Sequence, residues 1–343
     1  MALFDFLTSD IAIDLGTANT LIIHKGKIVV DEPSIIALDK TTGKVLAIGH
    51  RAMQMHEKTN ENIKTIRPLK DGVIADFTAA ELMIRGLIKL IDERKGLRFF
   101  TPSHRMVVCI PSGITEVEKR AVKDSCEHAG AKEVYMVHEP IAAALGIGID
   151  IQQPNGSMIV DIGGGTTEIA VIALSGIVCE ASVRIAGDVF TRDIVDYMRR
   201  EHNLLIGERS AELIKIEVGA ALPELDNPPA DFEIRGRDLM TGIPKEIKVT
   251  YSEIAYALDK SISKIEEATM KALETSPPEL SADIYHNGIH LTGGGALLHG
   301  LDKRLAAKTK LPIHIADDPL RAVVRGTGEV LKDLEKYKAV LIS

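Results

Sequence analysis

The sequence predicts a mixed α/β fold with two related halves, and three observations support this prediction. Apolar runs with strand character alternate with segments of helical periodicity, which is typical of α/β proteins. One short pattern occurs twice: a strand that ends in an aspartate, a glycine turn with small hydroxyl residues, and a second strand. The two aspartates, Asp14 and Asp161, are 161 − 14 = 147 residues apart, close to half of the 343-residue chain. Two halves with the same plan are therefore expected, each large enough to bury a core of its own.

The first half opens with strands and continues into a helix. Residues 11–38 form a succession of short apolar strands, and a mixed segment continues to about Arg67, which we interpret as a small inserted subdomain. Thr78 and Glu81 have the Thr-x-x-Glu spacing of a capping box, in which the two side chains satisfy the free amides of a first helical turn. Apolar periodicity follows to Leu90. The sequence therefore predicts a helix that starts at this pair.

The remainder of the first half alternates between strand and helix. Residues 106–110 form an apolar strand, and Thr115 with Glu118 repeats the capping-box spacing at the start of a further helix. A short strand at 134–137 leads to a helix expected to begin at Pro140, because proline is favoured at the first helical position. This alternation favours largely parallel pairing outside the hairpins.

The second half repeats this plan. A hairpin at 158–179 precedes a long helical region between 188 and 221, and residues 232–249 are expected to form a strand-rich insertion. Thr250 and Glu253 then provide another capping box before a long apolar-periodic segment. Each half is therefore expected to carry its own insertion.

Glycine turns at three strand ends carry the most specific chemical signal. Glycine adopts positive φ and lets backbone N–H groups approach an anion without a Cβ atom in the way. Two carboxylates beside a triphosphate are best explained by Mg²⁺, so Asp14 and Asp161 are candidate metal ligands. A helix is predicted directly after the third turn, where its first amides would meet a base, a ribose or an α-phosphate. One such turn alone would fit a structural role, whereas the set favours a nucleotide. The turn residues are Gly16, Thr17, Ala18 and Asn19; Gly163, Gly164, Gly165 and Thr166; and Gly293, Gly294, Gly295 and Ala296.

Composition argues against several other classes of protein. The net charge is −8 and aromatic residues make up 4% of the chain, so neither a basic surface nor a base-stacking surface for nucleic acid is expected. Cys109, Cys126 and Cys179 occur singly, which favours buried thiols in a reducing cytosol over a metal or redox site. No apolar run approaches the roughly 18 residues of a membrane span, and no secretory signal is recognisable. We therefore expect a cytoplasmic protein without a nucleic-acid partner.

Five motifs along the chain resemble those of the actin, Hsp70 and sugar-kinase superfamily: IDLGTANT, HEPIAAALG, VDIGGGTTE, LTGGGALL and RGTGEVL. Within that superfamily the sequence closely resembles the MreB family of bacterial actins, including DEPS, IRPLKDGVIADF and SVRIAGD. The resemblance implies an actin-like ATPase fold, with a nucleotide cleft between two lobes that have ribonuclease H-like cores. The implied subdomains are IA (1–30, 68–145 and 317–343), IB (31–67), IIA (146–187 and 250–316) and IIB (188–249).

The resemblance also implies a role for each site residue. Asp14 and Asp161 would hold a hydrated Mg²⁺, and Glu139 would orient or deprotonate the attacking water with the help of Thr166. The first two glycine turns would bind phosphates, and the third would face the adenosine across from Glu208, Glu212 and Lys215. Glu139 is also a candidate from position alone, since an acid at a strand-to-helix junction can act as a general base, although it can equally stabilise the helix dipole. His138 is a departure, because family members often carry a second acid there.

Two apolar segments are candidates for membrane contact. Leu3, Phe4, Phe6 and Leu7 would lie on one side of a helical turn, and Phe99 with Phe100 lies in a predicted loop. The resemblance implies that both insert into the inner face of the cytoplasmic membrane, with weak binding per subunit strengthened by a polymer. The alternative is that these side chains fold back onto the core.

The sequence allows three functions, of which the first is the leading hypothesis. The first is an ATP-dependent filament protein that organises cell-wall synthesis and maintains rod shape, with slow hydrolysis of ATP by water. The resemblance implies head-to-tail, paired protofilaments and partners in the wall-elongation machinery such as MreC and RodZ. The second is a chaperone-type ATPase, which would need a substrate-binding region after the ATPase. The third is a small-molecule phosphotransferase, which would need an acceptor-binding acid and pocket.

Overall fold

The computed structural model of the chain describes residues 8–93 and 103–342. The chain divides into two compact units, each organised around a five-stranded sheet. The division into four subdomains remains a prediction. The first unit comprises residues 1–154, 172–177 and 320–343, and the second comprises residues 155–171 and 178–319.

Strands and helices alternate along most of the described chain, as the sequence predicts. The strands are β1 (Thr8–Leu15), β2 (Asn19–His24), β3 (Lys27–Pro33), β4 (Ile36–Asp39), β5 (Val45–Ile48), β6 (Ile63–Ile66), β7 (Leu69–Lys70), β8 (Val73–Ile74), β9 (Ser103–Ile110), β10 (Ala131–His138), β11 (Ser157–Ile162), β12 (Thr167–Ala173), β13 (Gly176–Val183), β14 (Leu204–Leu205), β15 (Phe232–Asp238), β16 (Pro244–Val249), β17 (Ile289–Thr292) and β18 (Ile313–Ile315). The helices are α1 (His50–Met55), α2 (Phe77–Glu93), α3 (Glu116–His128), α4 (Glu139–Gly146), α5 (Gly187–His202), α6 (Glu208–Val218), α7 (Tyr251–Thr275), α8 (Pro278–Asn287), α9 (Leu301–Thr309) and α10 (Ala322–Lys332). Short 3-10 turns occur at Gly294–Leu297, Pro319–Arg321 and Lys338–Val340.

The main sheet of the first unit has the strand order β10-β9-β1-β2-β3. Antiparallel pairing joins β1 to β2 and β2 to β3, whereas β9 pairs in parallel with both β1 and β10. The central strands are apolar on both faces, as expected for the interior of a sheet that is covered on both sides. Buried residues of this sheet include Ile11, Ile13, Ile22, Met106, Val108 and Ile110.

Two motifs of the sequence, HEPIAAALG and RGTGEVL, pack against each other in the first unit as α4 and α10. A Cβ atom on Gly326 would lie 1.7 Å from the carbonyl oxygen of Ala142, and one on Gly146 would lie 1.8 Å from that of Ala322. Both distances are about half of an ordinary van der Waals contact, so a side chain at either position would force the helices apart. This close approach sets the position of α4, which begins at Glu139.

A small antiparallel sheet with the order β5-β4-β6 lies within the insertion predicted to end near Arg67. Helix α1 packs on it, and together they bury a separate cluster of apolar side chains. The cluster contains Ile35, Ala37, Ala47 and Ala52. The first of the two predicted insertions is therefore a folded element with its own small core.

Most of a second sheet, with the order β13-β12-β11-β17-β18, lies in the second unit, apart from residues 172–177 at the end of β12 and the start of β13. In this sheet β17 pairs in parallel with β11 and β18. Helices α5, α6 and α7 contribute Phe190, Ile214 and Ile262 to its core, all fully buried. The insertion predicted at 232–249 forms the antiparallel pair β15–β16, to which β14 adds a third strand. Strand-rich structure in this segment is thus confirmed.

Two predicted capping boxes are confirmed. At α3, the amide of Glu118 donates to the Thr115 hydroxyl, and the Glu118 carboxylate accepts from the Thr115 amide. Thr250 and Glu253 make the same two bonds at the start of α7. Each pair satisfies two of the free amides at a helix start, which explains why α3 and α7 begin where the spacing predicts.

The predicted cap at Thr78 is wrong, because α2 begins at Phe77. The carboxylate of Asp76 accepts from the amide of Ala79 at 3.0 Å and takes the capping role two residues earlier. Helix α4 likewise begins one residue before Pro140. Within the part of the chain that the structure describes, no helix is both long enough and apolar enough to cross a membrane.

Candidate functional site

The first glycine turn connects β1 to β2 within the first unit. A Cβ atom on Gly16 would lie 2.7 Å from the carbonyl oxygen of Asn19, so the turn closes too tightly for a larger residue. Among the backbone hydrogen bonds of the described residues, none has the amide of Thr17 or Ala18 as its donor. Adjacent amides without a backbone acceptor suit an anion such as a phosphate group. The hydroxyl of Thr17 instead accepts from the amide of Gly72, at 3.0 Å.

Asp14 lies at the end of β1 beside this turn, and the thiol of Cys109 donates to its carboxylate at 3.2 Å. Burial raises the pKa of Asp14 to about 6, and the bond from Cys109 opposes that rise only in part. The pKa of Cys109 is raised well above its usual range by burial and then by the charges of Asp14 and Glu139. Cys109 is therefore a neutral donor. A carboxylate in such surroundings suits a divalent cation, which would stabilise the charged form.

Glu139 is the first residue of α4 and directly follows β10, which pairs with the strand that carries Cys109. Val137 of β10 lies opposite Cys109 of β9, so Glu139, two residues further on, begins α4 close to the contact between Cys109 and Asp14. The N-terminal position of Glu139 on its helix stabilises a negative charge. Sequence reasoning thus placed a metal-ligand candidate and a general-base candidate that the structure brings together.

The second glycine turn, after β11, is held from behind by the start of α5. The amide of Gly187 donates to the carbonyl oxygen of Gly163 at 3.1 Å, and that of Asp188 donates to the carbonyl oxygen of Gly164 at 2.7 Å. No backbone hydrogen bond of the described chain uses the amide of Gly164 or Gly165 as donor. The start of helix α5 therefore binds the carbonyl groups of the turn. The adjacent amides of Gly164 and Gly165 suit contact with a second phosphate group.

Asp161 and the third glycine turn are neighbours in the second unit. Asp161 is 4% exposed, and its carboxylate accepts from the hydroxyl of Thr292 at 2.7 Å. A Cβ atom on Gly293 would lie 2.3 Å from the carbonyl oxygen of Ile162, and one on Gly295 would lie 2.2 Å from the Ile162 side chain. Only glycine fits so close to the end of β11. Asp161, the second turn and the third turn therefore lie together at the end of β11.

The helix predicted directly after the third turn does not begin there. A short 3-10 turn follows at Gly294–Leu297, and α9 starts only at Leu301. The intervening chain is diverted, because His299 donates to the carbonyl oxygen of Gly219 and accepts from the amide of Ala221. The amides of an α-helix therefore do not begin at this turn, and the turn itself remains the candidate for contact with a base or ribose.

Lys215 and Glu212 lie beside the start of α5. The ammonium group of Lys215 donates to the carbonyl oxygen of Gly187 at 3.0 Å, to the hydroxyl of Thr191 at 3.1 Å and to the carboxylate of Glu212 at 2.7 Å. The predicted adenosine residues are therefore tied to the same Gly187 that holds the second turn. Glu208 is the first residue of α6.

Sequence reasoning missed two residues that support these turns. Thr191 bridges α5 and α6, and Ser34 contacts the first turn. Ser34 lies in the DEPS motif, so its motif was visible although its contact was not. Thr191 had no such signal, because its partners Glu212 and Lys215 lie on another helix.

The predicted nucleotide-site residues are divided between the two units. Asp14, Glu139 and the first turn belong to the first unit, and the remaining site residues belong to the second. That both sets of residues bind one nucleotide stays a prediction. The Mg²⁺ site with water-mediated contacts also stays a prediction. No three or more His, Cys, Asp or Glu side chains in residues 8–93 and 103–342 form a cluster that could hold a metal ion. The membrane-contact candidates Leu3, Phe4, Phe6, Leu7, Phe99 and Phe100 lie outside the described residues.

The three cysteines were expected to be buried thiols. This is confirmed for Cys109 and Cys126. The prediction of a buried thiol is wrong for Cys179, which is only partly buried. Its thiol donates to the carbonyl oxygen of Thr275 at 3.2 Å.

Comparisons with known proteins agree with the motifs over nearly the whole chain. A family model described as MreB/Mbl protein matches residues 8–339. The cell shape-determining protein Mbl of Bacillus subtilis is 50% identical over 328 residues, which cover 95% of this chain and 97% of that protein. The cell shape-determining protein MreB of Escherichia coli is 47% identical over 341 residues, which cover 98% of this chain and 97% of that protein.

Solved structures give the same result for the fold. The crystal structure of MreB5 of Spiroplasma citri bound to ADP has a TM-score of 0.89 at 38% identity, and covers 96% of this chain and 98% of that chain. The same protein bound to AMPPNP has a TM-score of 0.89 at 39% identity, with 96% and 97% coverage. A MamK double helical filament, at 20% identity and a TM-score of 0.79, covers 95% and 99%. These likenesses confirm the predicted actin-like fold.

Proposed function

Because the chain belongs to the MreB/Mbl family, we propose that it is a membrane-associated, ATP-dependent filament protein that organises cell-wall synthesis and maintains rod shape. Relatives named cell shape-determining proteins match nearly the full chain, which supports the role in cell shape. One observation carries the nucleotide part of the proposal. Within the described residues, each unit has a glycine turn in which two adjacent amides donate to no backbone carbonyl, next to an aspartate that is buried or partly buried.

The proposed ligand is an adenine nucleotide with Mg²⁺. Two solved relatives are described as bound to ADP and to AMPPNP, which supports this class of ligand. Within this chain, the amides of the two turns would donate to phosphate oxygens. Asp14 and Asp161 would hold the metal largely through water. The bound Mg²⁺ would supply neutralisation of the charge on the phosphates.

We assign hydrolysis to the residues around the two turns. The carboxylate of Glu139 would accept a proton from a water that attacks the γ-phosphorus in line, while the bond to the leaving oxygen of ADP breaks. Thr166, at the end of the second turn, would help to place that water. The turn amides would bind the charge that develops on the phosphate oxygens. Lys215 and Glu212 would position the adenosine through the same Gly187 that supports the second turn.

Filament formation and membrane binding complete the proposal. Head-to-tail contacts that do not close into a ring produce an open filament, and a filament multiplies weak contacts with lipid. Leu3, Phe4, Phe6, Leu7 and the Phe99–Phe100 pair are the proposed lipid contacts. MreC and RodZ are the proposed kind of partner at the inner face of the cytoplasmic membrane.

The test follows light scattering and phosphate release together while protein concentration is raised with ATP and Mg²⁺. We expect scattering above a critical concentration, and slow phosphate release that depends on Mg²⁺. Samples with EDTA, and samples of Asp161→Ala, serve as controls. Absence of nucleotide-dependent assembly at every concentration would contradict the filament role. Phosphate transfer to a sugar by a protein that stays monomeric would favour the phosphotransferase instead.

A further inference from the structure

Ser34 makes two contacts with the first glycine turn. It lies between β3 and β4 and is 1% exposed. Its hydroxyl donates to the carbonyl oxygen of Gly16 at 2.6 Å, and its amide donates to the carbonyl oxygen of Ala18 at 2.9 Å. One buried residue therefore holds two carbonyl groups of a turn that spans only a few residues.

Thr20 fixes the direction of this contact. Because the Gly16 carbonyl can only accept, the single hydroxyl hydrogen of Ser34 is committed to it. The hydroxyl of Thr20, 2.9 Å from that of Ser34, must then donate to Ser34. Thr20 is itself 1% exposed. The result is a directed chain of hydrogen bonds from Thr20 through Ser34 to Gly16, away from bulk water, where each bond strengthens the next.

Peptide geometry connects this chain to the anion-binding side of the turn. A trans peptide is planar, and its carbonyl oxygen points opposite to the N–H of the next residue. When Ser34 holds the Gly16 carbonyl, the amide of Thr17 must point away from Ser34. We propose that Ser34 is a positioning residue, which aims the Thr17 amide at a phosphate group of the bound nucleotide. The inference rests on the proposed nucleotide function of this turn.

The test compares how tightly variants bind ADP and adenosine, because only ADP has phosphates for the turn to bind. Both ligands displace a fluorescent ADP analogue in competition titrations. For Ser34→Ala we expect ADP affinity to fall about tenfold, the usual scale for one hydrogen bond that orients a charged ligand. Adenosine affinity is expected to stay within about twofold. The matched control is Ser125→Ala, because Ser125 is fully buried in α3 and its hydroxyl has no partner in the described structure.

A second pair of variants, at Thr20, tests the same chain of hydrogen bonds if Ser34→Ala folds poorly. Thr20→Val removes the hydroxyl but keeps the shape of the side chain, so it should lower ADP affinity selectively. Thr20→Ser retains the hydroxyl and should restore it. Circular dichroism and thermal unfolding identify which variants are folded.

The outcomes separate this inference from the proposed function. Failure of the unaltered protein to bind ADP would overturn the proposed function and the role of Ser34 with it. Normal ADP binding by folded Ser34→Ala, or by Thr20→Val, would overturn the role of Ser34 alone. Equal loss of ADP and adenosine affinity would mean that Ser34 only stabilises the fold, which also overturns the inference. Selective loss of ADP affinity, with recovery in Thr20→Ser, supports it.

Discussion

Replacement of Gly326 by alanine is expected to be among the most damaging single-methyl changes in this protein. The new Cβ atom would lie 1.7 Å from the carbonyl oxygen of Ala142 and 2.9 Å from the amide nitrogen of Gly146, both backbone atoms of α4. Backbone atoms cannot rotate aside, so α4 and α10 must separate. Overpacking in a well-filled core costs about 1 to 3 kcal/mol, and we expect about 3 kcal/mol because rigid groups collide.

Gly328→Ala is the matched control, since it makes the same change on the same helix. Its Cβ atom would approach the Ile23 side chain no closer than 3.0 Å, and that side chain can adjust. Alanine also favours a helix by about 1 kcal/mol relative to glycine, which offsets any crowding at position 328. The two variants therefore isolate the contact with α4 from the intrinsic effect of the substitution.

Urea unfolding followed by circular dichroism measures both variants. We expect the midpoint of Gly326→Ala to fall well below that of the unaltered protein, while Gly328→Ala stays close to it. Phosphate release should also fall in any folded Gly326→Ala, because α4 carries Glu139 at its first residue. Equal unfolding midpoints for the two variants would refute the packing argument.

Three further predictions concern the site, the membrane and pH. Glu139→Ala or Asp161→Ala should keep the fold but lower phosphate release about 100-fold or more, the scale of a lost general base or metal ligand. Phe99→Ser combined with Phe100→Ser should reduce co-sedimentation with liposomes while assembly measured by light scattering is unchanged. His290 has a pKa lowered by burial and by His314, so the unfolded chain binds its proton more readily than the folded one. Stability against urea should therefore fall as pH drops below 6.5, and His290→Gln should flatten that fall.

A specific result would contradict each of these three predictions. Unchanged phosphate release would remove Glu139 or Asp161 from the mechanism. Equal pelleting with lipid would exclude the Phe99–Phe100 pair from membrane contact. A His290→Gln protein that loses stability below pH 6.5 as steeply as the unaltered protein would show that another group causes the loss of stability in acid.

Local signals predicted the elements well where a single pattern dominated. The capping boxes at Thr115 and Thr250 worked because the partners are three residues apart and meet in any helix that begins there. The same spacing failed at Thr78, because Asp76, two residues earlier, offered a competing cap. Spacing alone cannot rank these two caps, because Asp and Thr are both favoured at the N-cap position.

The end of the third glycine turn shows a different limit. The run after Ala296 has helical periodicity, yet the chain delays its helix to Leu301. Backbone pairing of His299 with Gly219 and Ala221 takes precedence, and those partners lie about 80 residues earlier. Long-range backbone hydrogen bonds of this kind cannot be recognised from the periodicity of the sequence. They routinely override the local helix propensity.

The amino-acid order was enough to reveal the duplicated turns and their aspartates, because the chemistry of a glycine turn beside an acid resides in a few adjacent residues. Folding was needed to place Ser34 against Gly16, Lys215 against Gly187 and α10 against α4. These partners are separated by 18, 28 and about 180 residues. The conformation of a glycine turn depends on a few adjacent residues. The residues that contact each turn from elsewhere in the chain are placed by the packing of whole strands and helices.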